Sequence, residues 1–164
     1  MNELIPLEEW LSALAEATQE VSATALRFDG RTPVEISGSR GARPGVYIAI
    51  LCDSASMHVG LTTSPEGCRV LARSLLGLRE SAELADKEVV DAVSELVNIV
   101  AGKVKSRLAE RDGSLRLGLP LFIQGEIQVT AQMEKATAEV RIGPVDCQLQ
   151  VYRNPRTMRA REAA

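Results

Sequence analysis

Aromatic residues are scarce, with one Trp, two Tyr and two Phe making 3% of the chain. The core is therefore built from Leu, Val, Ile and Ala. A basic surplus is also missing: 19 Lys and Arg stand against 22 Asp and Glu, for a net charge of -3. That excludes a general nucleic-acid binder, which needs cations to meet phosphates. No apolar run approaches the roughly 18 residues of a membrane span, so no membrane partner is expected. The N-terminus, Met1 to Pro6, lacks the basic start and apolar stretch of a secretory signal. The three cysteines, Cys52, Cys68 and Cys147, are odd in number and widely spaced. They fit neither a disulfide framework nor a zinc site and read as small apolar residues. No metal site is expected, and a cytoplasmic protein is. His58 is the sole histidine, beside Gly60 and Thr62; it is expected at the surface, with no Ser-His-Asp set around it. The Gly-rich stretch 38–45 lacks the Gly-Lys-Ser/Thr ending of a phosphate loop and reads as a hairpin or edge loop.

What is present suits one domain. Of 164 residues, 45% are apolar and 25% charged, enough for a core and unlike a disordered chain. Residues 1–152 are expected to form a single domain. Residues 153–164 hold Arg153, Arg156, Arg159 and Arg161 and read as a basic, solvated tail. Pro6 with Glu8 and Glu9 opens a first helix, which Leu7, Trp10, Leu11, Leu14 and Val21 continue at helical spacing. Ala25 to Phe28 and Val34 to Ser37 read as short strands. Val46 to Cys52 and Met57 to Thr63 read as a hairpin turned at Asp53 to Ser56. Ser64-Pro65-Glu66 caps a helix that ends at Gly77. A longer helix spans about Glu83 to Glu110. The remainder is β in character: Leu121 to Thr130, Gln132 to Ile142 and Val145 to Tyr152. Strands grouped between helices give an α+β fold, an antiparallel sheet with the long helices packed on one face.

The long helix has an unusual outward stripe. With Glu95 as origin and about 100° per residue, Val89, Val93, Leu96, Val97, Val100 and Val104 fall on the opposite, buried side. Asp91, Glu95, Asn98 and Gly102 share the outward side. Asn98 is a poor helix former, and Gly102 costs about 1 kcal/mol against Ala. Ile99 adds an apolar side chain beside them. Two readings stand on the helix alone: a solvated face with a tolerated Asn, or a contact site made of a carboxylate, a carboxamide and bare backbone. Ser12, Glu16 and Gln19 on the first helix repeat part of the pattern, with Gln in place of Asn; an amphipathic polar face accounts for them.

Spacing favours the contact site. Asp91-x3-Glu95-x2-Asn98, followed 22 residues after Asn98 by Pro120, resembles the signature of the CheC/CheX chemotaxis phosphatases at all four positions. One good copy of the signature points to the CheX-like branch. The resemblance implies a phosphatase that removes phosphate from the aspartate of a phosphorylated, CheY-like response regulator. Glu95 and Asn98 would be the catalytic pair, Asn98 orienting the attacking water and Glu95 meeting the regulator's lysine. Asp91, Ile99 and Gly102 would contact the partner. Pro120 would be structural, closing the connection into the next strand. No cofactor of its own is implied, and Mg²⁺ would sit on the regulator. A homodimer is implied too, with the strand Val145 to Tyr152 as a candidate pairing edge. Two rival readings use the same helix face: a flagellar-switch-like module of the FliM or FliY type that binds a regulator without catalysis, and a structural subunit that buries the Gly102 stripe.

Overall fold

A computed structural model describes residues 4–28, 34–35 and 43–154. Three helices, α1 (Leu7–Thr24), α2 (Pro65–Leu76) and α3 (Asp86–Leu108), combine with six strands. These are β1 (Val34–Glu35), β2 (Gly45–Leu51), β3 (Ser56–Thr63), β4 (Arg116–Ile123), β5 (Glu134–Ile142) and β6 (Val145–Asn154). All pairings are antiparallel, in the order β1-β5-β6-β3-β2-β4. The fold is the expected α+β class.

Strand alternation decides which side chains meet the helices. Val46, Ile48 and Ile50 of β2, Met57, Val59 and Leu61 of β3, and Cys147, Leu149 and Val151 of β6 join one core with the buried sides of the three helices. Helix α1 packs on β5 and β6, whereas α3 packs on β2 and β4. On the other face, Gln150 receives a hydrogen bond from Tyr47 at 3.2 Å, and its amide donates to Gln148 at 2.7 Å.

Local chemistry sets the helix ends. The Ser64 hydroxyl accepts from the Gly67 N–H at 3.0 Å, and Pro65 occupies the first helical position of α2. Gly77 closes it in the left-handed conformation, φ 66°, which glycine adopts without steric cost. Helix α3 begins where the Glu88 carboxylate accepts from the Ala85 N–H at 2.7 Å. It runs from Asp86 rather than Glu83 and ends at Leu108 rather than Glu110.

Several strand expectations are corrected. Ala25 to Phe28 is the frayed end of α1, not a strand: the N–H groups of Ala25 and Leu26 donate to Val21, and that of Phe28 to Ser22. Three apolar residues around Arg27 could not outweigh the unsatisfied carbonyls of a helix end. Of Val34 to Ser37, only Val34–Glu35 is described, and it is strand; of the 38–45 stretch, 38–42 lie outside the described residues and Gly45 begins β2. The strand expected at Leu121 to Thr130 is β4, displaced to Arg116–Ile123. Pro120 does not close a connection before that strand; it lies within it, opposite Ile48. A proline is tolerated because, among the described residues, β4 pairs with β2 alone, and edge strands admit it. The strand expected from Gln132 begins at Glu134. Strand β6 extends to Asn154, so Arg153, expected in the tail, is buried; its guanidinium donates to Glu134 and, at 2.9 Å, to the Ile5 carbonyl. Residues 155–164 lie outside the described part.

Candidate functional site

Helix α3 is anchored from below and partly open above. Val93, Leu96, Val97, Val100 and Val104 are fully buried. Above them, Asp91 and Glu95 are exposed, and Asn98 and Gly102 are half-buried. Among the described residues, Asp91, Glu95 and Asn98 have no hydrogen-bond or ion-pair partner. Glu95 and Asn98 stand one turn apart, the spacing that makes helical side chains neighbours. A Cβ built on Gly102 would meet nothing within 4 Å. The glycine is therefore not there to admit another of the described parts of this chain, and it leaves helix backbone uncovered by them. Ile99 departs from expectation: it is half-buried and packs against the core, standing at about +40° from Glu95, on the flank where Lys103 and Arg107 lie.

One flank of the stripe is closed by ion pairs to α1, which runs antiparallel to α3. Lys103 meets Glu20 at 2.7 Å, Arg107 meets Glu16 and Glu20 at 2.9 Å each, and Arg111 meets Glu9 at 3.3 Å. The Glu20 carboxyl is held below its ordinary pKa, first by the hydrogen bond from Lys103 and then by that from Arg107. This ladder bears on the partial motif in α1. Glu16 is held by Arg107, so it does not offer the free carboxylate that Glu95 does.

The stripe lines neither of two cavities found in the domain, of about 420 and 470 Å³. The first is lined by Arg43, Arg69, Asp86, Val90 and Phe122, and the second by Phe28, Arg73 and Leu78. Neither is lined by Asp91, Glu95, Asn98 or Gly102. A half-buried amide and an exposed carboxylate on one helix face can enter a cleft on another macromolecule.

Other sequence candidates contribute nothing to this stripe. His58 lies on β3, paired with Ala49 and Tyr152; it is half-buried where an exposed position was expected, and burial lowers its pKa. Cys68 and Cys147 are buried, and burial raises their thiols to about 11 and about 12. Among the described residues, no group of three His, Cys, Asp or Glu is placed to hold a metal ion. Pro120 sits in β4, the strand against which α3 packs, so the motif's last residue belongs to the support of the helix and not to its outward face. Sequence reasoning missed Lys87 and Lys105, exposed on α3; their separation by five whole helical turns was a legible signal.

Comparisons with known proteins agree with the signature. The model of the family described as chemotaxis phosphatase CheX matches residues 46–142. No curated protein matches the chain in sequence. Among solved structures, a CheC-like superfamily protein from Shewanella sp. PV-4 is similar with a TM-score of 0.71 at 16% identity, over 91% of this chain and 99% of that one. The CheX of a CheX–CheY–BeF3–Mg²⁺ complex from Borrelia burgdorferi is similar with a TM-score of 0.67 at 17% identity, over 88% and 97%. The FliM middle domain from H. pylori is similar with a TM-score of 0.63 at 11% identity, over 95% and 97%. The structural likenesses establish the shared fold; the family model, covering more than half the sequence and the whole of the Asp91-to-Pro120 signature, places this chain in the CheX family of chemotaxis phosphatases.

Proposed function

We propose that this chain hydrolyses the aspartyl phosphate of a CheY-like receiver domain by inserting Glu95 and Asn98 into the receiver's active site. The observation that carries the reading is the pair itself: a carboxylate and a carboxamide one turn apart, unpartnered among the described residues, on the outward side of α3 beside the open Gly102. The Borrelia relative was crystallised with CheY, BeF3 and Mg²⁺, which supports a receiver as the partner.

The chemistry needs little more. An aspartyl phosphate is a reactive acyl phosphate, and the receiver supplies its own Mg²⁺. What is missing is a water held in line with phosphorus. Phosphoryl transfer depends on positioning and electrostatics, and an amide can orient the attacking water. The Asn98 carboxamide accepts from that water through its oxygen and donates through its nitrogen. The water's oxygen bonds to phosphorus as the bond to the aspartate oxygen breaks; inorganic phosphate leaves and the receiver's carboxylate is restored. Glu95 draws the receiver's lysine into an ion pair and fixes the docked pose. Asp91 and Ile99 contact the receiver, and Gly102 gives its loops room. No cofactor on this chain enters the scheme.

Two further readings complete the proposal. The protein works in the cytoplasm, where receivers are phosphorylated; no described helix is long and apolar enough to cross a membrane. It also pairs with a second copy. The edge is not Val145 to Tyr152, since β6 lies between β5 and β3. Among the described residues strand β4 has one free edge, with Leu119 and Leu121 84% and 63% exposed, a pairing liability unless covered. The FliM likeness favours a binding module as the second reading, but docking alone requires no carboxamide at position 98.

The test is phosphate release from a panel of phosphorylated receivers of the host, with and without this protein. Accelerated release from at least one receiver, abolished by Asn98→Ala, is the expected result. Binding without any acceleration would overturn catalysis in favour of the binding module.

A further inference from the structure

The ionisable side chains of α3 sort by flank. Asp86, Glu88, Lys103 and Arg107 are all engaged within the chain, by Arg69, the Ala85 N–H, Glu20, and Glu16 with Glu20 respectively. Lys87, Asp91, Glu95 and Lys105 have no partner among the described residues and are exposed. Measured from Glu95 at about 100° per residue, Lys103 and Arg107 lie at about +80° and +120°, the α1 flank. Asp91 lies at about -40°, Asn98 at about -60°, and Lys87 and Lys105 both at about -80°. The unengaged charges therefore avoid the α1 flank. Since α1 covers β5 and β6 while α3 covers β2 and β4, they look toward the β4 edge.

Lys105 follows Lys87 by about five turns, so the two share one line about 27 Å apart, with Asn98 between them. A compact domain of about 100 residues has a radius of gyration of about 13 Å, and one such domain spans both lysines. Charge gives the line a purpose. A receiver site that holds Mg²⁺ is lined by carboxylate oxygens, so Asp91 and Glu95 approach like charge. Lys87, one turn before Asp91, offsets that repulsion locally, and Lys105, about 10 Å beyond Asn98 along the axis, sets a second cation at the other end of the line.

We infer that Lys87 and Lys105 form a two-point docking clamp, which seats a receiver domain on the β4-side flank of α3 through acidic side chains at both ends of its active-site face. This rests on the phosphatase reading and specifies how the partner is oriented on the same site. Asn98 reaches the phosphoryl group because the clamp sets the receiver's direction along the helix. Exposed pairs of this kind act mainly on encounter and on salt dependence.

The experiment measures KM and kcat on a phosphorylated receiver, and titrates the same receiver activated with beryllofluoride, for Lys87→Glu, Lys105→Glu and the double variant. Arg79→Glu, which makes the same charge change on an exposed residue of the α2–α3 connection, is the control. Each lysine variant is expected to raise KM and the dissociation constant about two- to fivefold. The double variant should do so by about the product of the two, with kcat near wild type. The salt dependence of kcat/KM should weaken in the double variant and not in Arg79→Glu. If a receiver is dephosphorylated in an Asn98-dependent way while the double variant keeps wild-type KM, or Arg79→Glu raises KM equally, the clamp is wrong and the phosphatase reading stands. If no receiver in the panel is bound or dephosphorylated, both are wrong.

Discussion

At the scale of single residues, the site separates chemistry from stability. Asn98 is half-buried, unpartnered among the described residues, and a poor helix former. Asn98→Ala should lower kcat by on the order of 10² or more, because the attacking water loses its orientation. The melting temperature should be unchanged or slightly higher, and affinity for a beryllofluoride-activated receiver should barely move. Glu95→Ala should differ by weakening affinity and turnover together, since it removes a charge pair with the partner. Gly102→Leu should weaken binding while leaving the fold intact, because no other part of the described chain lies within 4 Å of the new Cβ. Steady-state release of phosphate, with binding measured separately, distinguishes the three. An Asn98→Ala variant at full activity on a confirmed substrate would reduce the stripe to a docking surface.

At the scale of elements, the α1–α3 ladder holds the working helix in place. Its carboxylates are all at least partly exposed, so each ion pair contributes modestly, yet the cluster has a clear pH signature. Glu20 titrates below its ordinary value in the folded protein because Lys103 and Arg107 bind its charged form. A depressed carboxylate stabilises the fold above its unfolded pKa and loses that contribution as pH falls through the folded one. Glu20→Gln should therefore lower the melting temperature at pH 7, and the gap to wild type should close as pH falls below about 4. A gap that persists at low pH would mean that Glu20 acts by packing and not by charge. The catalytic profile near neutral pH should be untouched, since this titration lies well below it.

At the scale of the whole molecule, the free edge of β4 is the feature with consequences. Leu119 and Leu121 are more than half exposed on it. Light scattering at high micromolar concentration should give the dimer mass, and the Leu119→Lys, Leu121→Lys double variant should give the monomer, because charge on an edge strand opposes pairing. A monomer mass for the unmodified chain would remove the dimer and leave the phosphatase reading intact. Thiol labelling reports on the same molecule from within. Cys52 is half-buried, whereas Cys68 and Cys147 are buried with thiols raised to about 11 and about 12. At pH 8 one thiol should label readily and two only on unfolding.

Sequence and tertiary structure divided the work along physical lines. Helical periodicity is local, so the buried and outward sides of α3, the cap at Ser64 and the stop at Gly77 were legible in the order of residues. The signature was legible too, because Glu95 and Asn98 share a face by spacing alone. Strand placement depends on partners far away in the chain. Leu121 to Thr130 looked like a strand, but β4 formed five residues earlier at Arg116, where β2 offered an edge. Pro120 read as punctuation until the sheet showed an edge strand that admits it. Likewise no local pattern put β6 in the middle of the sheet, paired Glu16 with Arg107, or tilted Ile99 into the core. Those outcomes follow from how α1 and α3 settle side by side on the sheet. The composition and the 3.6-residue period determined which side chains α3 shows to the outside; only packing decided which of them stay free for a partner.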